Sequence, residues 1–366
     1  MSTLKVSIEE VLEVNPHENA DRLDLISILG WNVISQKGIW NKGDLALYIP
    51  IDSILPKEIE DKIFGPDSKI KLNGSRVRTI KLRGCISQGM IVKPEILGIN
   101  KYKLGDDFTD FLGIKKFEPP VELPRGIGIC NQVKKKDKNH NFKEYTDIEN
   151  IKNYHKVFEE GEFVYVSEKL HGTSFRCGYV ETEANTLWKK ILKIFNILPK
   201  YEFVYGSRRV QLQNKKFNGF YEENVYAKAV DKYNLKEKLK PGEVIYGEII
   251  GPGIQKGYTY GVKEGDIEFY AYDLKKDDMF IDFCFLRSIC DARRIPVVPQ
   301  IYVGQYHVDK IKELTKGNSV LCPEQKIREG CVVKPVKERM NKYTGRTVLK
   351  SINDDYLLDK GNTDFH

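Results

Sequence analysis

The chain lacks the patterns typical of secreted and membrane-spanning proteins. Its 366 residues contain no uninterrupted apolar run of about 18, the length that a membrane helix needs. Near the N-terminus, Glu9, Glu10 and Glu13 occupy the stretch where a secretory signal would have its apolar core. We therefore expect an intracellular protein, cytoplasmic or nuclear, that makes no membrane contact.

Cysteine is scarce, and the cysteines are far apart. The seven cysteines include no CxxC pair: Cys85, Cys130, Cys177, Cys284, Cys290, Cys322 and Cys331. An odd number of unpaired positions argues against a disulfide framework and against a four-cysteine zinc site. We interpret them as reduced thiols that mostly fill hydrophobic cores.

The first hundred residues have the pattern of a small antiparallel β-barrel. Between residues 24 and 56, short apolar runs alternate with turn residues such as Gly30, Gly38 and the Lys42-Gly43-Asp44 turn. No internal repeat is visible, and strand-like segments continue to residue 92. This region therefore predicts a barrel at the N-terminal end of the chain.

A basic face is expected on that barrel. Arg76 and Arg78 would share one face of a strand, and Lys81 and Arg83 would share a face further on. The net charge of +7 suits a polyanionic partner, although ordinary soluble proteins also reach it. The four side chains could bind phosphates, or they could belong to a solvated strand face.

A change of composition marks a domain boundary. Residues 115–126 are rich in proline and residues 134–141 in charge, which indicates a linker or exposed loop. Beyond it, strand-like segments are separated by helical ones at 186–198 and 221–239, as in a mixed α+β domain. We predict a barrel domain at 1–115, a linker at 116–140 and an α+β domain at 141–366.

One lysine stands at the predicted end of a buried strand. Lys169 closes the apolar stretch FVYVSEK, and Gly172 follows three positions later. Burial or a nearby cation lowers the pKa of a lysine and frees its amine to act as a nucleophile. The glycine would let the backbone turn tightly under a ligand. A surface lysine that snorkels at a strand end is the alternative.

Five further segments follow Lys169 along the chain, and together they favour the nucleophilic lysine over the surface lysine. They are VYGSRR with Arg208, IYGEIIG with Glu248, EFYAYDL with Phe269 and Tyr270, REGCVVKP with Glu329 and Lys334, and GRTVLKS with Lys350. Together they offer a nucleophile, two carboxylates for a hard cation, aromatic rings for a base and cations for phosphates.

This series resembles the covalent nucleotidyltransferase superfamily of DNA ligases, RNA ligases and mRNA capping enzymes. Lys169-Leu170-His171-Gly172 is similar to the KxDG-type nucleophile motif, with His171 where aspartate is usual. Only 16 residues follow Lys350, too few for the C-terminal OB domain of DNA ligases and capping enzymes. The chain therefore resembles the clade of ATP-dependent RNA ligases with an N-terminal OB domain.

The resemblance implies an α+β fold, with an N-terminal OB-type β-barrel followed by a mixed α+β adenylyltransferase (ATP-grasp-like ligase) domain. It also implies an enzyme that joins 3′-OH and 5′-phosphate RNA ends through a lysyl-AMP intermediate and an adenylylated 5′ end, in RNA repair. The expected partners are ATP, Mg²⁺ or Mn²⁺, and RNA as a nicked duplex or broken strand, and the expected state is a monomer. A DNA ligase, a capping guanylyltransferase and a non-catalytic RNA-binding OB protein stay open as alternatives.

Roles for single residues also follow from the resemblance. Lys169 is the expected nucleophile, Glu168 reads the adenine amino group, and Phe269 stacks on the base, with Tyr270 as its rival. The other expected contacts are Gly172 beneath the nucleotide, Arg208 on the sugar or a phosphate, Glu248 and Glu329 on the metal, Lys334 and Lys350 on phosphates, and Arg76, Arg78, Lys81 and Arg83 on the RNA backbone. Val348 stands where the family often has a second basic residue, and Arg346 is a candidate to replace it.

Overall fold

The N-terminal part of the chain is a barrel-like arrangement of short antiparallel strands, as expected. Its elements are β1 (Ser7–Pro16), β2 (Leu23–Ile28), β3 (Trp31–Gln36), β4 (Leu45–Ile49), β5 (Ser53–Ile54), α1 (Lys57–Phe64), a short 3-10 helix (Asn73–Ser75), β6 (Thr79–Leu82), β7 (Cys85–Gln88), β8 (Met90–Val92), a second 3-10 helix (Pro94–Leu97) and β9 (Lys115–Lys116). The main sheet has the order β3-β2-β1-β4-β8.

Strand β1 gives the barrel its curvature. Its first half pairs with β4 and its second half with β2, and the register shifts between Val11 and Glu13. A shift of this kind bends and twists a strand, which lets one strand serve two sides of a barrel. Strand β9 pairs with β5, so Lys116, the first residue of the predicted linker, still belongs to the barrel. The predicted domain limits otherwise stay a prediction.

The computed structural model describes residues 3–65, 71–117, 139–184, 191, 194–195, 197–212, 224–255, 257–359 and 362–364. Most of the predicted linker and of the predicted helix at 186–198 lies outside these residues, as does Cys130. The other six cysteines are free thiols. No helix in the described residues is long and apolar enough to cross a membrane.

The second domain is a mixed α+β structure. Its strands are β10 (Glu149–Asn150), β11 (Phe163–Lys169), β12 (Thr173–Glu181), β13 (Tyr201–Ser207), β14 (Gln211–Leu212), β15 (Glu243–Ile250), β16 (Glu268–Lys276), β17 (Met279–Phe280), β18 (Gln300–Gln305), β19 (Gly330–Pro335), β20 (Met340–Asn341), β21 (Gly345–Arg346) and β22 (Leu349–Ile352). Its helices are a 3-10 turn (Ile151–Asn153), α2 (Val225–Lys232), α3 (Leu235–Lys238), α4 (Phe283–Ala292), α5 (Val308–Thr315) and α6 (Asp354–Leu357).

These strands form two larger sheets. One has the order β10-β22-β19-β11-β18, and the other has the order β14-β13-β12-β15-β16-β17. In each, alternate side chains enter an apolar core, such as Val166 and Val333 in the first sheet and Phe175 and Ile249 in the second. Because side chains alternate along a strand, the residues between them point to the other face of each sheet. The candidate site residues lie largely on these other faces.

The barrel packs directly on the second domain. Trp31 and Tyr48 of the barrel belong to the same buried cluster as Leu170 and Tyr356. The Trp31 indole also donates a 2.6 Å hydrogen bond to Asn153 Oδ1. Leu170 directly follows the candidate nucleophile, so the contact between the domains begins one residue from the site.

Candidate functional site

The pairing of β11 with β19 brings the candidate nucleophile to a carboxylate. Lys169, the last residue of β11, lies opposite Gly330, so Glu329 is its neighbour across the sheet. The Lys169 Nζ donates a 2.6 Å hydrogen bond to Glu329 Oε1, and Glu329 is 0% exposed. Two residues that are 160 positions apart in the sequence therefore form one ion pair at a strand end.

A second carboxylate reaches the same place from the other sheet. Glu248 on β15 lies between Ser174 on β12 and Tyr270 on β16, and neighbours in register share a face. Burial raises the pKa of Glu248 to about 8; Lys169 opposes the rise, and the Glu329 carboxylate adds to it. The two sheets thus bring the predicted lysine and both predicted carboxylates together.

Gly172 is required by close packing and not by the tight turn that the sequence predicted. A Cβ atom at this position would lie 2.2 Å from the Ile249 carbonyl oxygen and 3.0 Å from the Glu248 Cγ. Its backbone is not in the left-handed region, so conformational freedom is not the cause. Glycine is needed because the chain after Lys169 crosses directly against β15, the strand that carries Glu248.

His171 contacts three tyrosines. Its Nδ1 lies 3.4 Å from Glu329 Oε2 and 3.3 Å from the Tyr356 hydroxyl, and its backbone N–H donates to the Tyr260 hydroxyl at 2.8 Å. The imidazole also packs edge-on against Tyr258. This histidine therefore sits beside the carboxylate that holds Lys169.

Glu168 carries a buried acceptor that no described residue uses. Its Oε2 accepts from the backbone N–H groups of Val320 and Leu321, at 2.8 and 3.2 Å. Its Oε1 is buried and has no hydrogen-bond partner within the described part of the chain. Buried polar atoms are rarely left without partners, so an unused acceptor here fits a donor group on a ligand, such as an exocyclic amine.

The two candidate stacking residues face opposite ways. Phe269 is 0% exposed and packs in the core against Phe175 and Tyr233. Tyr270 is half-buried and lies opposite Glu248. The prediction that Phe269 stacks on a base is therefore wrong, because strand alternation places its ring beneath the sheet. Tyr270, its predicted rival, is on the site face.

Lys350 lies in the same sheet as Lys169 but is buried. It is 0% exposed and pairs with Val332 on β19, the strand that separates β22 from β11 and Lys169. Its Nζ donates to the backbone carbonyl of Asp364. Burial lowers the pKa of Lys350, and the Asp364 carboxylate opposes this shift.

Lys334 and Arg346 do not meet the predicted roles. The Lys334 Nζ donates to Asp273 Oδ2 at 2.6 Å, and the Arg346 Nη1 donates to the same oxygen at 2.8 Å. The Tyr145 hydroxyl completes this buried cluster with a 2.5 Å bond to Asp273 Oδ2. Because both cations are buried and neutralised by Asp273, the structure corrects the prediction of Lys334 as a phosphate contact. Arg346 does not replace the basic residue absent at Val348, which is itself 0% exposed.

Arg208 lies in the loop after β13, where it forms an ion pair with Asp147. Its charge lowers the pKa of Glu248, though less than Lys169 does. Arg208 therefore stays a candidate to contact a ligand that Glu248 binds.

The four basic residues of the barrel do not form one face. Arg76 is buried, donates to Asp52 and lies over the Phe117 ring. The prediction of Arg76 as an RNA contact is therefore wrong. Arg78 is half-buried, whereas Lys81 and Arg83 are exposed on the β6–β7 hairpin, with Arg83 at its turn.

The described residues contain no group of three or more His, Cys, Asp or Glu side chains that could hold a metal ion. Glu248 and Glu329 would therefore have to share a cation with waters or ligand oxygens, as Mg²⁺ sites commonly do. Burial raises the pKa of Glu248, and repulsion from Glu329 adds to the rise; a cation bound by both carboxylates would offset both effects.

Several residues of the site were not predicted from the sequence. They are Asp52, Asp147, Asp273, Asp364, Tyr258, Tyr260 and Tyr356. Of these, only Asp273 could have been found from its local sequence, because an aspartate inside the buried strand EFYAYDL needs a cationic partner. The others depend on contacts between distant parts of the chain.

Comparisons with known proteins match both parts of the chain. A family model described as RNA ligase matches residues 162–352, and one described as an OB-fold domain matches residues 5–94. A Lys-to-Ala variant of Naegleria gruberi RNA ligase with ATP and Mn is similar at a TM-score of 0.73 and 23% identity, covering 98% of this chain and 99% of that one. A Glu-to-Ala variant of that ligase with AMP and Mn gives a TM-score of 0.71 and 23% identity, covering 98% and 100%. An Asp-to-Ala variant without ligand gives 0.70 and 23%, covering 98% of each chain. These likenesses show a shared fold.

Proposed function

Since its match over residues 162–352 shows that the chain belongs to the RNA ligase family, we propose that it joins RNA ends in an ATP-dependent reaction. The ends are a 3′-OH and a 5′-phosphate, and the biological setting is RNA repair. The observation that carries this proposal is the convergence of Lys169, Glu329 and Glu248 at the meeting of two sheets. A protein that only binds RNA has no need of a lysine that is bonded to one carboxylate and acts on the pKa of a second.

Lys169 is the proposed nucleophile. Its Nζ attacks the α-phosphorus of ATP, so that a P–N bond forms and the P–O bond to pyrophosphate breaks. The amine must lose its proton, and Glu329 Oε1, at 2.6 Å, is the nearest carboxylate oxygen. AMP then passes to the 5′-phosphate of an RNA end, and the 3′-OH of the other end displaces AMP. Each step is a transfer at phosphorus, so catalysis depends on positioning and on neutralising charge.

Glu248 and Glu329 are the residues that would hold Mg²⁺ or Mn²⁺. The similar Naegleria gruberi structures contain Mn together with ATP or AMP. When bound, the cation would supply positive charge that offsets the phosphate oxygens and favours the unprotonated amine. Glu248 must lose its proton to take part, because its pKa is raised to about 8.

The adenine is proposed to lie between Glu168 and Tyr270. The unused Glu168 Oε1 accepts from the exocyclic amine, and the Tyr270 ring stacks on the base. Guanine presents a carbonyl oxygen at the equivalent position, which would face the lone pairs of Glu168. This contact would favour ATP over GTP and separates the proposal from a capping guanylyltransferase.

RNA is proposed to contact the exposed edge of the barrel. Lys81 and Arg83 on the β6–β7 hairpin, with the half-buried Arg78, would bind backbone phosphates without reading bases. Arg208 would contact a sugar or phosphate near the reacting end. Lys350 is covered by Asp364, but unlike Lys334 it is close enough to Lys169 and Glu329 for their charges to act on its pKa, so it would offset the charge of a nucleotide phosphate.

The proposal is tested with labelled nucleotides and nicked duplexes. The protein should form a covalent adduct with ATP but not with GTP, and should seal a nick whose 3′-OH and 5′-phosphate ends are RNA. Lys169→Ala should abolish both activities, whereas Lys316→Ala, at an exposed surface lysine, should retain both. A GMP adduct would indicate capping chemistry, equal sealing of all-DNA nicks would indicate a DNA ligase, and no adduct would indicate a binding protein.

A further inference from the structure

The buried pair Arg76–Asp52 links the barrel to the last described residues of the chain. Arg76 Nε donates to Asp52 Oδ1 at 2.8 Å, and its Nη2 donates to the carbonyl oxygen of Asn362 at 2.7 Å. The other oxygen of Asp52 accepts from the Thr363 hydroxyl at 2.7 Å and from the Asp364 N–H at 2.9 Å. Asp52 and Arg76 of the barrel together thus fix three consecutive residues, 362–364, which we call the terminal strap.

The terminal strap in turn holds Lys350. The carbonyl oxygen of Asp364 accepts from the Lys350 Nζ, and the Asp364 carboxylate lies 3.8 Å from it. Asn150 anchors the same carboxylate with a 2.7 Å hydrogen bond. Thr363 is 1% exposed and Asp364 is 4% exposed, so the strap is a packed part of the fold.

We propose that Asp52 and Arg76 are positioning residues for Lys350, acting through the terminal strap. The barrel then takes part in the reaction of Lys169 with ATP before any RNA is bound. The proposal rests on the proposed function, because Lys350 is there a contact of the nucleotide phosphates. It assigns to Arg76 a role at the nucleotide site in place of the RNA contact expected from the sequence.

The physical reason is the difficulty of holding a buried cation in one place. An ammonium without water must keep fixed acceptors, because a lost partner leaves the charge uncompensated. One acceptor of Lys350 is the backbone carbonyl of Asp364, which no side-chain substitution at position 364 removes. Its location is set by the bonds from Asp52 and Arg76 to the strap, and a catalytic group must be held within about 0.5 Å of its productive place.

Two substitutions test the strap without large strain. Asp52 has a φ of 65°, a left-handed conformation that Asn tolerates about as well as Asp, so Asp52→Asn keeps the shape and removes the charge. Thr363→Val keeps the side-chain volume and removes only the hydroxyl donor. Asp24→Asn is the matched control. Asp24 is a 5% exposed aspartate in β2, and it accepts from the Gly38 N–H at 2.9 Å, a contact within the barrel.

The experiment measures two quantities in the full-length protein without RNA. One is the rate of lysyl-AMP formation at saturating ATP and Mn²⁺. The other is acetylation of Lys350 by an amine reagent, quantified by peptide mass spectrometry against the exposed Lys316. Thermal unfolding of each variant shows whether the fold is kept. We expect Asp52→Asn and Thr363→Val to lower the rate about tenfold, or about 1.4 kcal/mol at the transition state. We also expect Lys350 to become labelled in both variants and to stay protected in Asp24→Asn.

A folded Asp52→Asn protein that forms the adduct at the rate of the Asp24→Asn control would overturn the proposal. A slower rate with Lys350 still protected would overturn it too, because the effect would not pass through Lys350. Failure of the proposed function is distinguishable: Lys350→Ala would then form the adduct normally, whatever the labelling shows. If Asp52→Asn does not fold, the adduct rate and the Lys350 labelling of Thr363→Val are compared with those of Asp24→Asn instead.

Discussion

Glu248 should make the metal-free protein less stable than it would be with glutamine at this position. Burial raises the pKa of its carboxyl to about 8, and the neighbouring Glu329 adds to the rise. In the unfolded chain a glutamate titrates near pH 4.3. The folded protein therefore keeps a proton on Glu248 through the pH range in which the unfolded chain has already lost it.

The sign and size of the change in unfolding free energy with pH follow from the difference between the two pKa values of Glu248. Between about pH 4.5 and pH 8 the unfolded state binds fewer protons, so the free energy of unfolding falls as pH rises and levels off above pH 8. The difference between a folded-state pKa of about 8 and an unfolded-state pKa of about 4.3 corresponds to about 5 kcal/mol, which is an upper limit because the Glu248 side chain is only half-buried. Glu248→Gln removes this titration, so its advantage over the wild type should be small at pH 5 and largest above pH 8.

Urea unfolding at pH 5, 7 and 9, with chelator present, measures this difference. Glu243→Gln, in the same strand, is the matched control with the opposite sign. Arg293 donates to the Glu243 carboxylate at 2.5 and 3.0 Å, and this pairing overcomes burial and lowers the pKa of Glu243. Its stabilisation is present above the pKa of the unfolded chain and is lost as pH falls through the folded value. Glu243→Gln should therefore destabilise the protein most at neutral and alkaline pH.

The activity of Glu248→Gln should change in the other direction. A protein that is more stable at pH 9 but more than tenfold slower in lysyl-AMP formation would fit a carboxylate placed to hold a cation, a loss of about 1.4 kcal/mol or more. Equal stability of Glu248→Gln and wild type at pH 5 and pH 9 would refute the reasoning, because the carboxyl would then titrate alike in both states.

Three further outcomes are expected. Tyr270→Ala should raise the ATP concentration for half-maximal adduct formation about tenfold, since stacking on a base is worth about 1–3 kcal/mol. Tyr270→Phe keeps the ring and should leave that concentration unchanged. Equal values for the two variants would show that the Tyr270 ring does not stack on the base. Asp273→Asn should lower the free energy of unfolding in urea by about 3–5 kcal/mol, because Lys334 and Arg346 lose their shared counter-charge, and a loss below 1 kcal/mol would contradict the buried cluster. Gly172→Ala should lower the urea midpoint and slow adduct formation, because its Cβ would meet the Ile249 carbonyl oxygen at 2.2 Å; a normal midpoint would show that β15 can move aside.

The α+β fold class could be predicted from the sequence because its evidence is local. Alternating burial in β2 and the apolar run of β11 are visible in single segments. The convergence of Lys169, Glu248 and Glu329 was expected only through the resemblance to a family, since the pairings that join them span up to 160 residues.

The errors arose where a residue's environment depends on distant partners. Phe269 and Tyr270 are adjacent aromatics, and only the sheet shows which one faces the carboxylates. Arg76 has the sequence context of a solvent-exposed strand, but Asp52 and the terminal strap bury it. Lys334 follows the family pattern, yet Asp273 neutralises it inside the protein. Charge in a sequence indicates a possible ligand contact, and tertiary structure decides whether a protein partner has already taken it.

The most direct test of the central claim is a chase of the isolated enzyme adduct. The protein is incubated with ATP labelled in the α-phosphate and with Mn²⁺, freed of nucleotide, and digested to locate the label. A second portion is mixed, without ATP, with a duplex whose nick has RNA ends. We expect AMP on the peptide that contains Lys169, and its release as the nick is sealed. Label on another residue, or an adduct that persists while the nick stays open, would contradict this expectation.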